Sequence, residues 1–376
     1  MLIMNRLQQL AENVMRNSVN LAPGEKVFID AKGLHATPLF EAFIEATVKL
    51  GGVPFYYLND IRFTNAMLKH AKKEQIDEYC KFHLELMKKM DVYIGFSSIT
   101  NPYDASDVTD ESQVQYSESY AKVLRYRVDN TRWCVLRYPN DVMAYEAGMS
   151  TKQFTDFLFN ACLLDYSKME PQMNKLAELM RKTDKVRIVG PETDISFSIK
   201  NIGAVVCSGH RNIPDGEVYS APVKNSVNGV IRFNTSSHMD GKKFSNIKLW
   251  FENGKIVNCE HNGRKEDLEN IFNKDEGARY VGEFALGVNP FITKDMCNIL
   301  FDEKIAGSLH MAIGNCYKTA PNGNSSEIHW DLVLIQTPEY GGGQIYFDDV
   351  LIRDNGLFVI DELKGLNPEE LKLSAL

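Results

Sequence analysis

The chain has 376 residues, of which 44% are hydrophobic and 24% are charged, as is typical of globular proteins. Its net charge of −8 argues against nucleic-acid binding, which draws on a basic face. No apolar run reaches the ~18 residues of a membrane span, and the charged, amphipathic N-terminus is unlike a secretory signal. We therefore expect a soluble cytoplasmic protein that acts on small or peptidic substrates.

Two domains are expected, because single cores stop growing at roughly 250–300 residues. We place the boundary near residue 165, which gives domains over residues 1–165 and 166–376. The seven cysteines are scattered, odd in number and without a Cys-x-x-Cys pair. Reduced thiols are therefore expected, with neither a disulfide framework nor a zinc knuckle.

Helical and strand patterns alternate in the N-terminal half. Helical patterns cover residues 3–19, 39–52 and about 63–90, and apolar runs predict strands at 26–31, 53–58, 91–96 and 132–139. This alternation predicts an α/β domain with a parallel sheet covered on both faces. Neither Gly-x-Gly-x-x-Gly nor GxxxxGK[ST] occurs, so the domain has no dinucleotide or P-loop fingerprint.

Shorter strand patterns begin at Lys185, after a helical stretch over residues 152–182 that contains the boundary. Strands are predicted at 186–190, 195–200, 229–234, 246–260, 310–315, 328–335 and 344–360, and a helix at 265–273. Asn253-Gly254 and Asn355-Gly356 are hairpin turn signals. The C-terminal half is therefore predicted to be a β-rich, largely antiparallel α+β domain.

The segment Ile-His-Trp-Asp holds the most informative pair of residues. His329 and Asp331 are two positions apart in a strand pattern, so they point to the same face. Burying an imidazole or a carboxylate alone is costly, and a metal ion would satisfy both. A plain His–Asp hydrogen bond in a barrel interior is the alternative.

Three further residues suit the same chemistry. Glu217 follows a Pro-Asp-Gly turn, and Glu283 and His310 lie in apolar strand patterns. Either carboxylate could instead pair with an arginine, and His310 could be a satisfied core histidine. Together with His329 and Asp331 they offer the N and O donors that Zn²⁺, Co²⁺ and Mn²⁺ accept in open catalytic sites.

Four segments of the C-terminal half resemble the aminopeptidase T and aminopeptidase S family of thermophilic-type two-metal metallo-aminopeptidases, which includes leucyl aminopeptidases of that kind. The segments are N-I-P-D-G-E-V-Y-S-A-P, G-E-F-A-L-G, L-F-D-E-K-I-A-G-S-L-H-M-A-I-G-N-C-Y and I-H-W-D, in that order over about 120 residues. The resemblance implies two divalent ions, Zn, Co or Mn, in the C-terminal catalytic domain. It implies as their ligands Glu217, Glu283, His310, His329 and Asp331.

The same resemblance implies the reaction, which is hydrolysis of the N-terminal peptide bond of a peptide with a free N-terminus. Tyr317 falls on the family's catalytic tyrosine and would hydrogen-bond the oxyanion. Glu283 or Glu217 would carry the proton from water to the leaving amine. A homodimer is also implied, with the N-terminal domain shaping access or the dimer.

Three other functions stay open on the residues alone. The nearest is a two-metal hydrolase of another amide or ester, which would not require a free substrate amine. The second is a non-catalytic protein that binds a small molecule without a metal. The third is an assembly protein whose acidic clusters lie on the surface, which burial of His329 and Asp331 would oppose.

Overall fold

The computed structural model describes residues 2–98, 100–101 and 104–375. The chain forms two compact units: Met1–Leu163 with Gly209–Ile213, and Leu164–Ser208 with Pro214–Leu376. Among the residues described, no helix combines the length and the apolar character that crossing a membrane requires.

The first unit is built on a five-stranded sheet in which every strand pair is parallel. Its strands are β1 (Lys26–Lys32), β2 (Val53–Asn59), β3 (Val92–Ser97), β4 (Arg132–Arg137) and, from later in the chain, β8 (Asn212–Ile213). Their order is β2-β1-β3-β4-β8. The central strands β1 and β3 are almost wholly buried, as unbroken apolar runs require. The predicted parallel α/β domain is confirmed.

The helices of the first unit differ in detail from the sequence prediction. They are α1 (Leu2–Asn13), α2 (Thr37–Lys49), α3 (Ile61–Leu68), α4 (Lys73–Met87), α5 (Asp110–Asn130), α6 (Asp141–Glu146) and α7 (Thr151–Cys162). The stretch predicted over 63–90 is thus two helices, and a π-helix over Val14–Ser18 follows α1. Helix α5 was not predicted, because Val123 is the one residue of its 21 that is buried and no strong apolar stripe marks it.

The second unit contains two antiparallel sheets and a hairpin. The larger sheet has the order β14-β13-β10-β6-β5-β18-β19-β20, the smaller β17-β16-β15-β9-β7, and β11 pairs with β12. The strands are β5 (Lys185–Gly190), β6 (Thr193–Ser198), β7 (Val205–Cys207), β9 (Glu217–Ser220), β10 (Asn228–Arg232), β11 (Ser236–Met239), β12 (Lys242–Ser245), β13 (Lys248–Glu252), β14 (Lys255–Glu260), β15 (Val281–Gly287), β16 (Ser308–Gly314), β17 (His329–Ile335), β18 (Gln344–Phe347), β19 (Val350–Asp354) and β20 (Leu357–Phe358). The predicted antiparallel, β-rich class is confirmed.

The two predicted Asn-Gly hairpin turns are present and divide the strand segments predicted over 246–260 and 344–360. Asn253 and Gly254 have φ values of 50° and 86°, and they connect β13 to β14. Asn355 and Gly356 have φ values of 48° and 82° between β19 and β20. Positive φ at both central residues is the backbone of the tight hairpin turn that Asn-Gly favours.

Helices are few in the second unit. They are α8 (Tyr166–Lys182), α9 (Lys265–Phe272), α10 (Ile299–Asp302) and α11 (Pro368–Ala375). The side chain of Asp165 accepts a hydrogen bond from the Ser167 N–H and so caps the start of α8. The short helix α10 precedes Glu303 and Lys304, which take part in the site described next.

Candidate metal centre

Four neighbouring strands of the smaller sheet carry the side chains expected at a metal site. Residues directly opposed in antiparallel strands share a face of the sheet. Glu283 on β15 lies opposite Ala312 on β16, which in turn lies opposite Asp331 on β17. His310 lies opposite Ala285 in the adjacent row. The alternation of the strands therefore brings these acidic and imidazole groups to one face.

Small residues lie opposite the other two members of the set. Glu217 on β9 is opposite Gly287, and His329 on β17 is opposite Gly314. Alanine and glycine fill little space beside a ligand. This choice of neighbours leaves room on the sheet face between functional groups that come from four strands.

The five side chains make one continuous cluster. His310 Nε2 lies 3.4 Å from Glu283 Oε1 and 3.6 Å from Glu217 Oε2. His329 Nε2 lies 3.3 Å from Glu283 Oε2 and 3.4 Å from Asp331 Oδ1. These five residues include two groups whose ligand atoms lie within 4.8 Å of one another, and Glu283 belongs to both, with Oε1 on the His310 side and Oε2 on the His329 side.

The chemistry of the cluster fits divalent cations. Glu217, Glu283 and His310 are buried, with 6%, 3% and 1% of their surface exposed. Buried polar atoms are normally hydrogen-bonded, yet Glu217 Oε2 and His329 Nε2 are buried without a hydrogen-bond partner. Three carboxylates and two imidazoles are a donor set for Zn²⁺, Co²⁺ or Mn²⁺. Cations bound in the cluster would give Glu217 Oε2 and His329 Nε2 the partners that they lack.

The orientation of His329 supports this assignment. Its Nδ1 lies 2.8 Å from the carbonyl oxygen of Asn315. A carbonyl oxygen only accepts, so Nδ1–H is the donor, and Nε2 is the nitrogen that faces the carboxylates and would bind a metal ion. Metal-binding histidines are commonly held in this way by their second ring nitrogen.

Proton affinities in the cluster reflect burial and mutual charge. Burial raises the pKa of Glu217 to about 8. Burial opposes the charged forms of His310 and Asp331 as well, but here the partners win: Glu283 and Glu217 raise the pKa of His310 to about 9, and His329 lowers the pKa of Asp331 to about 2. The cluster therefore favours positive charge in its centre.

The cluster also contains two charged residues that the sequence analysis did not identify. Glu303 forms a third candidate ligand group with His310 and Asp331. Lys304 is fully buried and its Nζ lies 2.6 Å from Glu217 Oε1. The sequence signal that could have identified these two residues is a charged pair inside the apolar segment L-F-D-E-K-I-A-G, which leads to His310.

Tyr317 lies beside the cluster, just after the end of β16. Its ring centroid is 4.6 Å from that of His329 and 5.6 Å from that of Tyr219. Nearly half of its surface, 46%, is exposed. The phenol therefore sits next to the imidazole with one side open to solvent, where a bound molecule can reach it.

A cavity of about 290 Å³ also adjoins the cluster. His329 and Asp331 line one side of it, and the lining also includes Met239 of β11 and Ile299 at the start of α10. A volume of this size accommodates an amino-acid side chain next to the two ligands.

Comparison with known proteins identifies the family. The sequence pattern of the thermophilic metalloproteases, M29, matches residues 3–341. Aminopeptidase 2 of Geobacillus stearothermophilus is 24% identical over 350 residues, which cover 83% of this chain and 84% of that protein. Aminopeptidase AmpS of Bacillus subtilis (strain 168) is 36% identical over 122 residues, 31% of this chain and 29% of that protein.

Two solved structures have the same fold. AmpT from Thermus thermophilus aligns with a TM-score of 0.76 and 22% identity over 95% of this chain and 99% of its own. A 2,5-dihydroxypyridine dioxygenase from Pseudomonas putida KT2440 aligns with a TM-score of 0.61 and 14% identity over 96% and 99%. The fold thus accommodates different chemistries, and the family match is what identifies the protein. The resemblance to the aminopeptidase T and S family is confirmed: the chain belongs to the thermophilic metalloprotease family M29 and is a metal-dependent hydrolase.

Proposed function

We propose that this chain is an aminopeptidase that releases N-terminal residues from peptides at a centre of two divalent ions. The proposed ligands are Glu217, Glu283, His310, His329 and Asp331, and the ions are Zn, Co or Mn. The observation that carries the proposal is the position of Glu283, which directs one oxygen toward each imidazole. A carboxylate in that position could serve as a ligand on both the His310 and the His329 side of the cluster.

The chain's own residues would divide the work of hydrolysis. Two divalent ions, when bound, lower the pKa of a water molecule and polarise the scissile carbonyl. Glu217 keeps Oε2 without a hydrogen bond and is, with Glu283, the candidate to take the proton from water and pass it to the leaving amine. The Tyr317 hydroxyl donates a hydrogen bond to the oxyanion.

Selectivity for N-termini would follow if the free α-amine of the peptide bound one of the ions or an acidic side chain of the cluster. The adjoining cavity receives the side chain of the N-terminal residue. We further propose a cytoplasmic homodimer in which residues 1–165 shape access or the dimer contact and residues 166–376 carry the catalytic site.

Paired substrates and metal analysis test the function. Purified protein should contain up to two divalent ions per chain and should cleave leucyl-p-nitroanilide but not its N-acetyl derivative. Replacing Glu283→Gln should abolish cleavage while the circular dichroism spectrum stays unchanged. Equal cleavage of both substrates would indicate a hydrolase of other amides, and a protein that takes up no divalent ion would refute the proposal.

A further inference from the structure

Lys304 is a charged residue in the interior of the second unit that the proposed reaction does not use. It has no exposed surface. Its Nζ lies 2.6 Å from Glu217 Oε1, 2.6 Å from Glu303 Oε1 and 3.6 Å from Asp215 Oδ1. Three carboxylates from two parts of the chain therefore converge on one ammonium group.

Charge balance explains why a lysine is placed there. Five carboxylates lie in or next to the cluster, and uncompensated charges are very costly to bury. They are Asp215, Glu217, Glu283, Glu303 and Asp331. Two divalent ions would supply four positive charges and Lys304 supplies the fifth, so the loaded centre is neutral with neutral histidines.

Lys304 also decides which oxygen of Glu217 faces the centre. Glu217 Oε1 is held by the ammonium group, whereas Oε2 lies 3.6 Å from His310 and has no hydrogen-bond partner. The contact leaves one oxygen of Glu217 for the ions and the water. Without it, both oxygens would be available to a single ion.

We propose that Lys304 is a positioning residue, a built-in cation that keeps the carboxylates assembled before the ions bind and presents Glu217 through one oxygen. This inference rests on the proposed two-ion centre. It predicts that the loss of Lys304 harms the metal-free chain far more than the loaded one, because bound ions already offset four of the five negative charges around Lys304.

Thermal unfolding of Lys304→Met with and without Zn²⁺ tests the proposal. The melting temperature of the chelated variant should fall by about 10 °C or more, as expected when one partner of a buried ion pair is removed. Saturating Zn²⁺ should recover most of that loss. The matched control is Lys248→Met, whose Nζ lies 2.9 Å from Glu192 in the same unit and outside the cluster; it should shift both forms equally.

The visible absorption of the Co²⁺ form provides a second, spectroscopic readout. Freeing Glu217 Oε1 in Lys304→Met should raise the coordination number of the ion and weaken its absorption bands. If the single variant does not fold, Lys304→Met combined with Glu303→Gln, which removes one charge of each sign, should fold and melt close to the wild type without metal.

The outcomes separate the two claims. A wild-type chain that takes up no ion refutes the proposed function itself. A wild type that binds ions, with a Lys304→Met variant that loses the same stability in both forms, leaves the function standing and overturns the role of Lys304. Failure of the charge-balanced double variant to fold would also overturn it.

Discussion

Individual residues in and beside the cluster make different kinds of contact. Glu283 contacts both imidazoles, His329 is oriented by the Asn315 carbonyl, and Tyr317 lies at the open side of the His329 ring. In the proposed centre the first two contacts would orient metal ligands, whereas the third would place a hydroxyl group beside the substrate. Substitutions at these positions should therefore differ in what they change.

Tyr317→Phe should reduce kcat by about 10²–10³, the usual effect of losing one oxyanion donor. Binding of substrate and ions should change little, because the ring and its contacts remain. Steady-state kinetics with leucyl-p-nitroanilide measures the effect, and Tyr346→Phe, in the larger sheet, is the control. An unchanged kcat would make Tyr317 a structural residue.

Proton competition should make metal affinity depend on pH. In the metal-free chain the pKa of Glu217 is raised to about 8, that of His310 to about 9, and that of His329 well above its usual range by Asp331 and Glu283, so all three hold protons at neutral pH. An ion must displace these protons, so metal affinity should rise with pH, by up to about tenfold per unit for each proton still bound, and should level off only above the highest of these pKa values. Calorimetric titration in buffers of different ionisation enthalpy should show proton release; a flat profile would contradict the assigned ligands.

At the scale of elements, the smaller sheet builds the site by register. Strands β15, β16 and β17 bring the proposed ligands to one face, and alanine or glycine lies opposite each of them on at least one side, while Val333 also lies opposite His310. Side chains on the other face, such as Phe284 and Met311, are fully buried apolar residues. The strands thus serve as core on one face and as a donor surface on the other.

Ala312→Val should test that use of small residues. Ala312 is buried and lies between Glu283 and Asp331 in the register. Two added methyl groups should crowd the ligands and cost about 1–3 kcal/mol of folding stability, with a larger proportional loss of bound metal. Metal content and thermal unfolding measure the two effects. Met311→Leu, on the opposite face, should keep the metal; loss of metal there as well would contradict the argument.

At the scale of the whole molecule, all proposed ligands belong to the second unit. The shared fold of a peptidase and a dioxygenase shows that function depends on the groups placed on this framework. The parallel sheet of the first unit contributes no proposed ligand, so metal should affect the two units differently.

Chelation should therefore loosen one unit selectively. Removing the ions should increase amide hydrogen exchange in β9, β15, β16 and β17, because uncompensated carboxylates then repel one another. Strands β1 and β3 should keep their protection. Hydrogen-exchange mass spectrometry of chelated and reloaded protein makes the comparison, and a uniform increase across both units would contradict a purely local effect.

The sequence by itself determined the fold class and the family, because both depend on local patterns. Apolar runs and Asn-Gly turns specify strands and hairpins through residues close in sequence, and four short motifs carry the resemblance. The same motifs named five side chains that the structure brings into one cluster. The sequence did not predict the break between α3 and α4 at residues 69–72. It also did not predict helix α5, which has no strong apolar period.

Only the tertiary structure decided how the charges are balanced. Glu217 and Lys304 are 87 positions apart, and no local pattern relates them, yet Lys304 Nζ lies 2.6 Å from Glu217 Oε1. Glu303 enters the cluster because the chain turns after α10. Burial sets the cost of each charge, and burial depends on distant strands, so the fifth positive charge could be recognised only after folding.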